Sequence, residues 1–121
     1  MLTKINLNGK FALFTELWRP KVVASLNGQE VKIIKVKGEF PWHRHDQEDE
    51  LFLVWKGNFR VEFRDQVVSL EAGECIVVPH GIEHRTCAEE EAEITIGDLH
   101  ANAKKLLYIL KFHLKRSKST R

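Results

Sequence analysis

Between Val22 and Thr95 the apolar residues fall in short runs of strand length, separated at close intervals by turn-forming residues. Phe59, Val61 and Phe63 alternate with Arg60, Glu62 and Arg64, the period of a strand with one buried and one solvated face. The run LFLVW at 51–55 is apolar at every position, which predicts a strand covered on both sides. Asn27-Gly28 lies between VVASL and QEVKIIKV. This is the strongest short hairpin signal, because a type I′ turn needs positive φ at both central residues. Further breaks fall at Lys56-Gly57-Asn58, Asp65-Gln66, Ala72-Gly73 and Pro79-His80-Gly81. No long helical pattern interrupts this region. Seven or more short strands at such spacing predict an all-β sandwich or small barrel rather than an α/β design.

The pattern changes after residue 98. Leu99, Ala103, Leu106, Leu107, Leu110 and Leu114 share one face at helical spacing, and Asp98 is positioned to cap the start, which predicts a helix over 99–114. The competing reading is a strand, since Leu110, Phe112 and Leu114 alternate with Lys111, His113 and Lys115. Charge divides the chain at the same point. Residues 1–98 carry 12 Lys plus Arg against 17 Asp plus Glu, a net of −5, whereas residues 99–121 hold seven basic and no acidic residues. The expected organisation is one barrel domain over 1–98 and a basic tail over 99–121. The tail's leucine stripe favours docking on protein over a nucleic-acid arm, because lysines alone would leave that stripe in water.

With 121 residues, 43% apolar and 30% charged, the chain has the length of one globular domain. No apolar run approaches the roughly 20 residues that span a bilayer. The N-terminus MLTKINLNGK has neither the apolar core nor the cleavage site of a secretory signal, so a cytoplasmic location is expected. Cys75 and Cys87 have no metal-type spacing and are read as reduced, largely buried thiols. No nucleophile-elbow, phosphate-loop or dinucleotide fingerprint is present.

The candidate chemistry sits in WHRHDQEDELF at 42–52. On an extended strand His43 and His45 project to one side and Trp42 and Arg44 to the other, so two imidazoles converge. The acids that follow, Asp46, Glu48, Asp49 and Glu50, can bring a carboxylate back beside them. A mixed imidazole and carboxylate set suits one divalent transition metal such as Fe, Mn, Ni, Zn or Cu. Downstream, Gly73-x5-Pro79-x-Gly81-x2-His84 forms a strand entered and left by turns that delivers a further imidazole.

Together with His43-x-His45-x4-Glu50-x6-Gly57, this second pattern resembles the paired motifs of the cupin superfamily, which are small double-stranded β-helix barrels. The resemblance covers about residues 22–97 and is similar to the small single-domain cupins likened to the barrel of mannose-6-phosphate isomerase. It implies that His43, His45, Glu50 and His84 are metal ligands and that Gly57, Gly73, Pro79 and Gly81 serve turns. Glu50 alone among the acids keeps the spacing to Gly57, which leaves Asp46, Glu48 and Asp49 as a solvated turn. Two departures stand out. Four residues rather than five separate Gly38 from His43, and Ala88 replaces the asparagine that often closes the second motif.

The function implied is a metal-dependent enzyme on a small polar molecule, of isomerase, lyase or dioxygenase type. The alternative is a non-catalytic module that binds a small molecule or stores a metal. No catalytic group beyond the ligands is legible. LFLVW is a candidate homodimer contact. Trp42 and Trp55 read as packing residues, His80 as an exposed loop residue, and Glu89, Glu90 and Glu91 as a loop charge run.

Overall fold

The computed structural model describes residues 2–99, with the side chain of Leu99 outside that description; of the helix predicted over 99–114, Leu99 belongs to a strand and residues 100–114 lie outside the described residues. Seven strands are present among the described residues: β1 Lys21–Leu26, β2 Gln29–Glu39, β3 Glu50–Lys56, β4 Asn58–Phe63, β5 Val67–Glu71, β6 Cys75–Val78 and β7 His84–Leu99. All pair antiparallel. The β1–β2 hairpin turns at Asn27 (φ 52°) and Gly28 (φ 78°), the two positive values that the Asn-Gly pair predicts.

The long strand β7 organises the barrel. Its first part, from His84 to Cys87, pairs with β4, and its second part, from Glu93 to Gly97, pairs with β3. β2 runs beside it throughout, from Glu39↔Cys87 to Gln29↔Leu99. The change of sheet occurs where Val36↔Ala92 gives way to Gly38↔Ala88, so that Glu89, Glu90 and Glu91 stand opposite the single residue Lys37. The three glutamates are therefore an exposed bulge within β7, not the loop expected from their charge. Gly57 closes the facing turn at φ 93°, and a Cβ there would lie 3.1 Å from the Ala92 Cβ, so both conformation and space require glycine.

Ile34 and Val36 of β2, Phe52 and Val54 of β3, Phe59 and Val61 of β4, and Ala92, Ile94 and Ile96 of β7 fill the interior. The outward side of LFLVW is less covered than its composition predicts. Leu51 and Leu53 are half-buried and Trp55 is 38% exposed. The same alternation on β6 turns Ile76 and Val78 inward and exposes Cys75, so only Cys87 is the buried thiol expected.

The N-terminal segment, which gave no strong pattern, forms a helical turn, α1 (Leu7–Phe11), capped where the Asn6 side chain accepts from the Gly9 N–H at 3.0 Å. α1 lies against β2, with Phe11 and the outward-facing Ile33 both 1% exposed. Asn8 accepts from the Trp55 indole at 2.7 Å and ties α1 to β3. Asp98, expected to cap a helix, instead lies inside β7, paired with Glu30 of β2 in the sheet register.

Candidate metal centre

His43 and His84 form a reciprocal bridge, each backbone N–H donating to the other's carbonyl at 2.9 Å. Two further backbone bonds, Phe40 N–H to Thr86 O and Gly81 N–H to His45 O, sew the 40–49 loop onto the start of β7. The next strand, β3, begins at Glu50. Two segments 34 or more residues apart in sequence thereby deliver their polar side chains to one place. The ligand-type atoms of His43, His45, Glu50 and His84 all lie within 4.8 Å of one another. The Glu50 Oε1 is 3.2 Å from His45 Nε2 and 4.0 Å from His84 Nε2.

The inner ring nitrogens are already engaged. His43 Nδ1 lies 2.8 Å from the Pro41 carbonyl and His84 Nδ1 2.9 Å from the Ile82 carbonyl. A carbonyl only accepts, so each Nδ1 carries the proton and each Nε2 turns its lone pair toward the cluster. His45 Nδ1 lies 3.3 Å from the Glu48 carboxylate. Glu48 is therefore not the solvated turn residue that its sequence context predicts, being only 6% exposed. Its contact is of the kind that would orient an imidazole for metal binding. Burial also holds the His84 pKa below its ordinary 6.5, with the neighbouring His43 adding to the effect, which keeps the ring neutral.

Two atoms at the centre of this cluster, Glu50 Oε1 and His84 Nε2, are buried without a hydrogen-bond partner. A buried polar atom left unpaired costs about 1–3 kcal/mol, so such atoms call for a partner that is neither side chain nor backbone. A divalent cation fits. Three neutral imidazoles and one carboxylate make the borderline donor set that first-row metals take, and they leave coordination positions open.

Aromatic residues surround the histidines. Phe40 meets His43 edge-on at 5.2 Å, Trp18 packs on Phe40 at 5.2 Å, and Phe52 and Phe63 each stand 6.3 Å from His84. Trp18 reaches this position through a φ of 62°, held by its backbone N–H on Lys35 O and its indole N–H on Lys37 O. Trp42 packs as expected, with the Arg64 guanidinium 3.8 Å above its ring. His80 stands in a turn, 2.8 Å from Asp49, rather than among the ligands. A cleft of about 670 Å³ opens between β4, β5 and the glutamate bulge, and none of the four candidate ligands lines it.

Residues 30–100 match the family model described as Cupin domain (Cupin_2). A cupin-2 domain containing protein from Shewanella frigidimarina NCIMB 400 is 46% identical and superposes with a TM-score of 0.78, over 79% of this chain and 94% of that one. Protein NMB1881 from Neisseria meningitidis is 27% identical with a TM-score of 0.74, over 81% of this chain and all of that one. The uncharacterized protein YdbB of Bacillus subtilis (strain 168) is 34% identical over 65 residues, 53% of this chain and 58% of YdbB, so the match spans less than two thirds of that relative. With more than half its length matched and its barrel reproduced, the chain belongs to the cupin domain family.

Proposed function

We propose that this cupin binds one divalent transition metal through His43, His45, Glu50 and His84 and acts as a metal-dependent enzyme on a small polar molecule. The supporting observation is the convergence of ligand atoms from four residues within 4.8 Å, where Glu50 Oε1 and His84 Nε2 are buried with no hydrogen-bond partner. Iron, manganese, nickel, zinc and copper all suit the donor set. When bound, such a metal supplies Lewis acidity at its open positions and, if iron, copper or nickel, a route to dioxygen chemistry.

The chain's own residues prepare the place. Pro41 O and Ile82 O fix the tautomers of His43 and His84, and Glu48 orients His45, so little rearrangement accompanies loading. Phe40, Phe52 and Phe63 crowd the histidines and limit the water around them. Isomerase, lyase and dioxygenase chemistry are the reaction types proposed, on a small polar molecule.

Elemental analysis of the purified protein, paired with the His43→Ala, His45→Ala variant, tests the metal assignment. About one equivalent per chain in the wild type and almost none in the folded variant is the expected result. Equal metal content in both overturns it. An oxygen-consumption and isomerisation screen on the loaded protein then separates the enzyme from a binding module that does not turn over.

A further inference from the structure

Ile34 and Val36 point from β2 into the core, and strand alternation places Lys32 and Glu30 on that same inner face. On β7 the corresponding residues are Ile94, Ile96 and Asp98, and on β3 they are Phe52, Val54 and Glu50. The registers Glu30↔Asp98 and Lys32↔Ile96 link β2 to β7, and Phe52↔Ile96 and Leu51↔Gly97 link β7 to β3. One further step of the latter register sets Glu50 beside Asp98. One row across three strands thus reads Glu30, Asp98, Glu50, with the metal-centre carboxylate at its end. Lys32 extends from the adjacent row, its Nζ 3.0 Å from Asp98 Oδ1 and 3.7 Å from Glu30 Oε1.

This pair is expensive in its setting. The Asp98 side chain is 6% exposed and that of Lys32 18%, and taking such charges from water is costly before their attraction is counted. The next rows of the same face are filled by Ile, Val and Phe, so packing alone does not require charge there. The Lys32 side chain keeps partial exposure, whereas the Asp98 Oδ1 that faces it is shut off from solvent. A charged donor and a charged acceptor are held together on an inward-facing surface, Asp98 in the row that ends at Glu50 and Lys32 in the next.

We propose that Lys32 and Asp98 form the organic-ligand subsite of the centre, and that they take the uncharged, hydroxyl-bearing part of a small polyhydroxy molecule. The proposal rests on the reading of His43, His45, Glu50 and His84 as a metal centre. A hydroxyl group can donate to the Asp98 carboxylate and accept from the Lys32 ammonium at once. A phosphate or carboxylate at the same ammonium would confront two carboxylates already 3.0 and 3.7 Å from it. The arginines on and just after β4 and on β7 do not offer an alternative anion site within the barrel. Arg60, Arg64 and Arg85 alternate with the inward residues and each holds a glutamate.

Calorimetric titration of the metal-loaded full chain with D-ribose, xylitol, ribonate and ribose 5-phosphate tests this, with metal content measured on every sample. Ribose or xylitol should bind the wild type, and ribose 5-phosphate and ribonate should bind no better. Lys32→Met and Asp98→Asn should each weaken polyol binding by about tenfold or more while metal content is unchanged. If a single variant does not fold, the double Lys32→Met, Asp98→Asn variant replaces it, because removing both charges leaves neither one buried and unpaired. Tighter binding of the anionic sugars, wild-type polyol affinity in the variants, or no polyol binding by a fully loaded wild type overturns the subsite and leaves the metal assignment standing. A wild type that takes up no metal overturns both.

Discussion

Two clusters of charged and polar side chains lie on opposite faces of the barrel wall at the start of β7, and they differ in how their atoms are partnered. On the outer face Glu62 bonds both Arg60 and Arg85 at 2.7 Å, Arg60 also reaches Glu89 at 2.6 Å, and Arg64 bonds Glu83 at 2.8 Å. Every member of that network has an oppositely charged neighbour and access to water. On the inner face His84 and Glu50 are more deeply buried, yet each keeps an atom without a hydrogen-bond partner. Folding alone accounts for the first cluster, since polar groups that satisfy one another on a surface need nothing more. It does not account for the second, in which two buried atoms lack a hydrogen-bond partner. The contrast marks the inner cluster by its deficit of hydrogen bonds rather than by the mere presence of histidine.

The most severe way to break the comparison is to remove two imidazoles. The His43→Ala, His45→Ala variant should lose essentially all bound metal while its far-ultraviolet circular dichroism stays that of a β protein, because the interior cluster from Ile34 to Ile96 does not include these residues. Chelation of the wild type should for the same reason lower the melting temperature without unfolding the chain at room temperature. A random-coil spectrum after chelation would instead make the metal a structural staple. An equivalent double substitution in the outer cluster should leave metal content untouched.

A smaller effect is expected at Glu48. Glu48→Gln keeps the shape of the side chain but weakens its hold on His45 Nδ1, and loss of such an orienting partner lowers metal affinity by about 10–100-fold. Competition with a chromophoric chelator measures it. Unchanged affinity would show that the Pro41 and Ile82 carbonyls suffice to organise the site.

Much of this site was legible because its determinants are local. Alternation puts His43 and His45 on one side, and the spacing to Glu50, Gly57, Gly81 and His84 marks the turns that bring the two segments together. The Asn27-Gly28 turn is likewise a matter of two adjacent dihedrals. What was missed depends on long-range register. Glu48 reads as one acid among four until the fold buries it, and Glu89–Glu91 read as a loop because a run of like charges has no period. Lys32 sits in VKIIKV, where both faces carry isoleucine, so only pairing with β7 shows that it points inward. The α1 turn offered a fainter signal, an Asn6 cap with Leu7 and Phe11 four apart, too short to stand out.

Acid titration sharpens the comparison further, because the two clusters protonate in different windows. His84 has its pKa depressed by burial, so the unfolded chain binds a proton more readily than the folded one. Stability of the metal-free protein should therefore be undiminished above about 6.5 and fall as the pH drops below that value. Glu62, whose bonds to Arg60 and Arg85 lower its pKa from the ordinary 4.5 to about 2, contributes stability that is fully present above 4.5 and lost only as the pH falls toward 2. Denaturant midpoints measured across this range should show two separate declines, and His84→Gln should remove the upper one. A single decline below pH 4.5 in the wild type would contradict the burial of a neutral His84.

The smallest effect is expected from the outer cluster itself, at Arg64. Its side chain is 60% exposed and that of its partner Glu83 46%, and the guanidinium also lies over Trp42. Exposed pairs of this kind gain little, because solvent screens their attraction and both side chains surrender rotamer freedom to meet. Arg64→Gln should lower the melting temperature only slightly at low ionic strength, and by still less at about 1 M salt, where the Debye length shrinks to roughly 3 Å. Whatever loss persists at high salt measures the stacking on Trp42, since packing over a ring face is not screened as a surface charge pair is. Arg64→Lys separates the two contributions, keeping the charge but giving up the planar contact. Metal affinity should be unaltered in both variants. A fall in affinity would mean that the outer network supports the inner site rather than merely lying behind it.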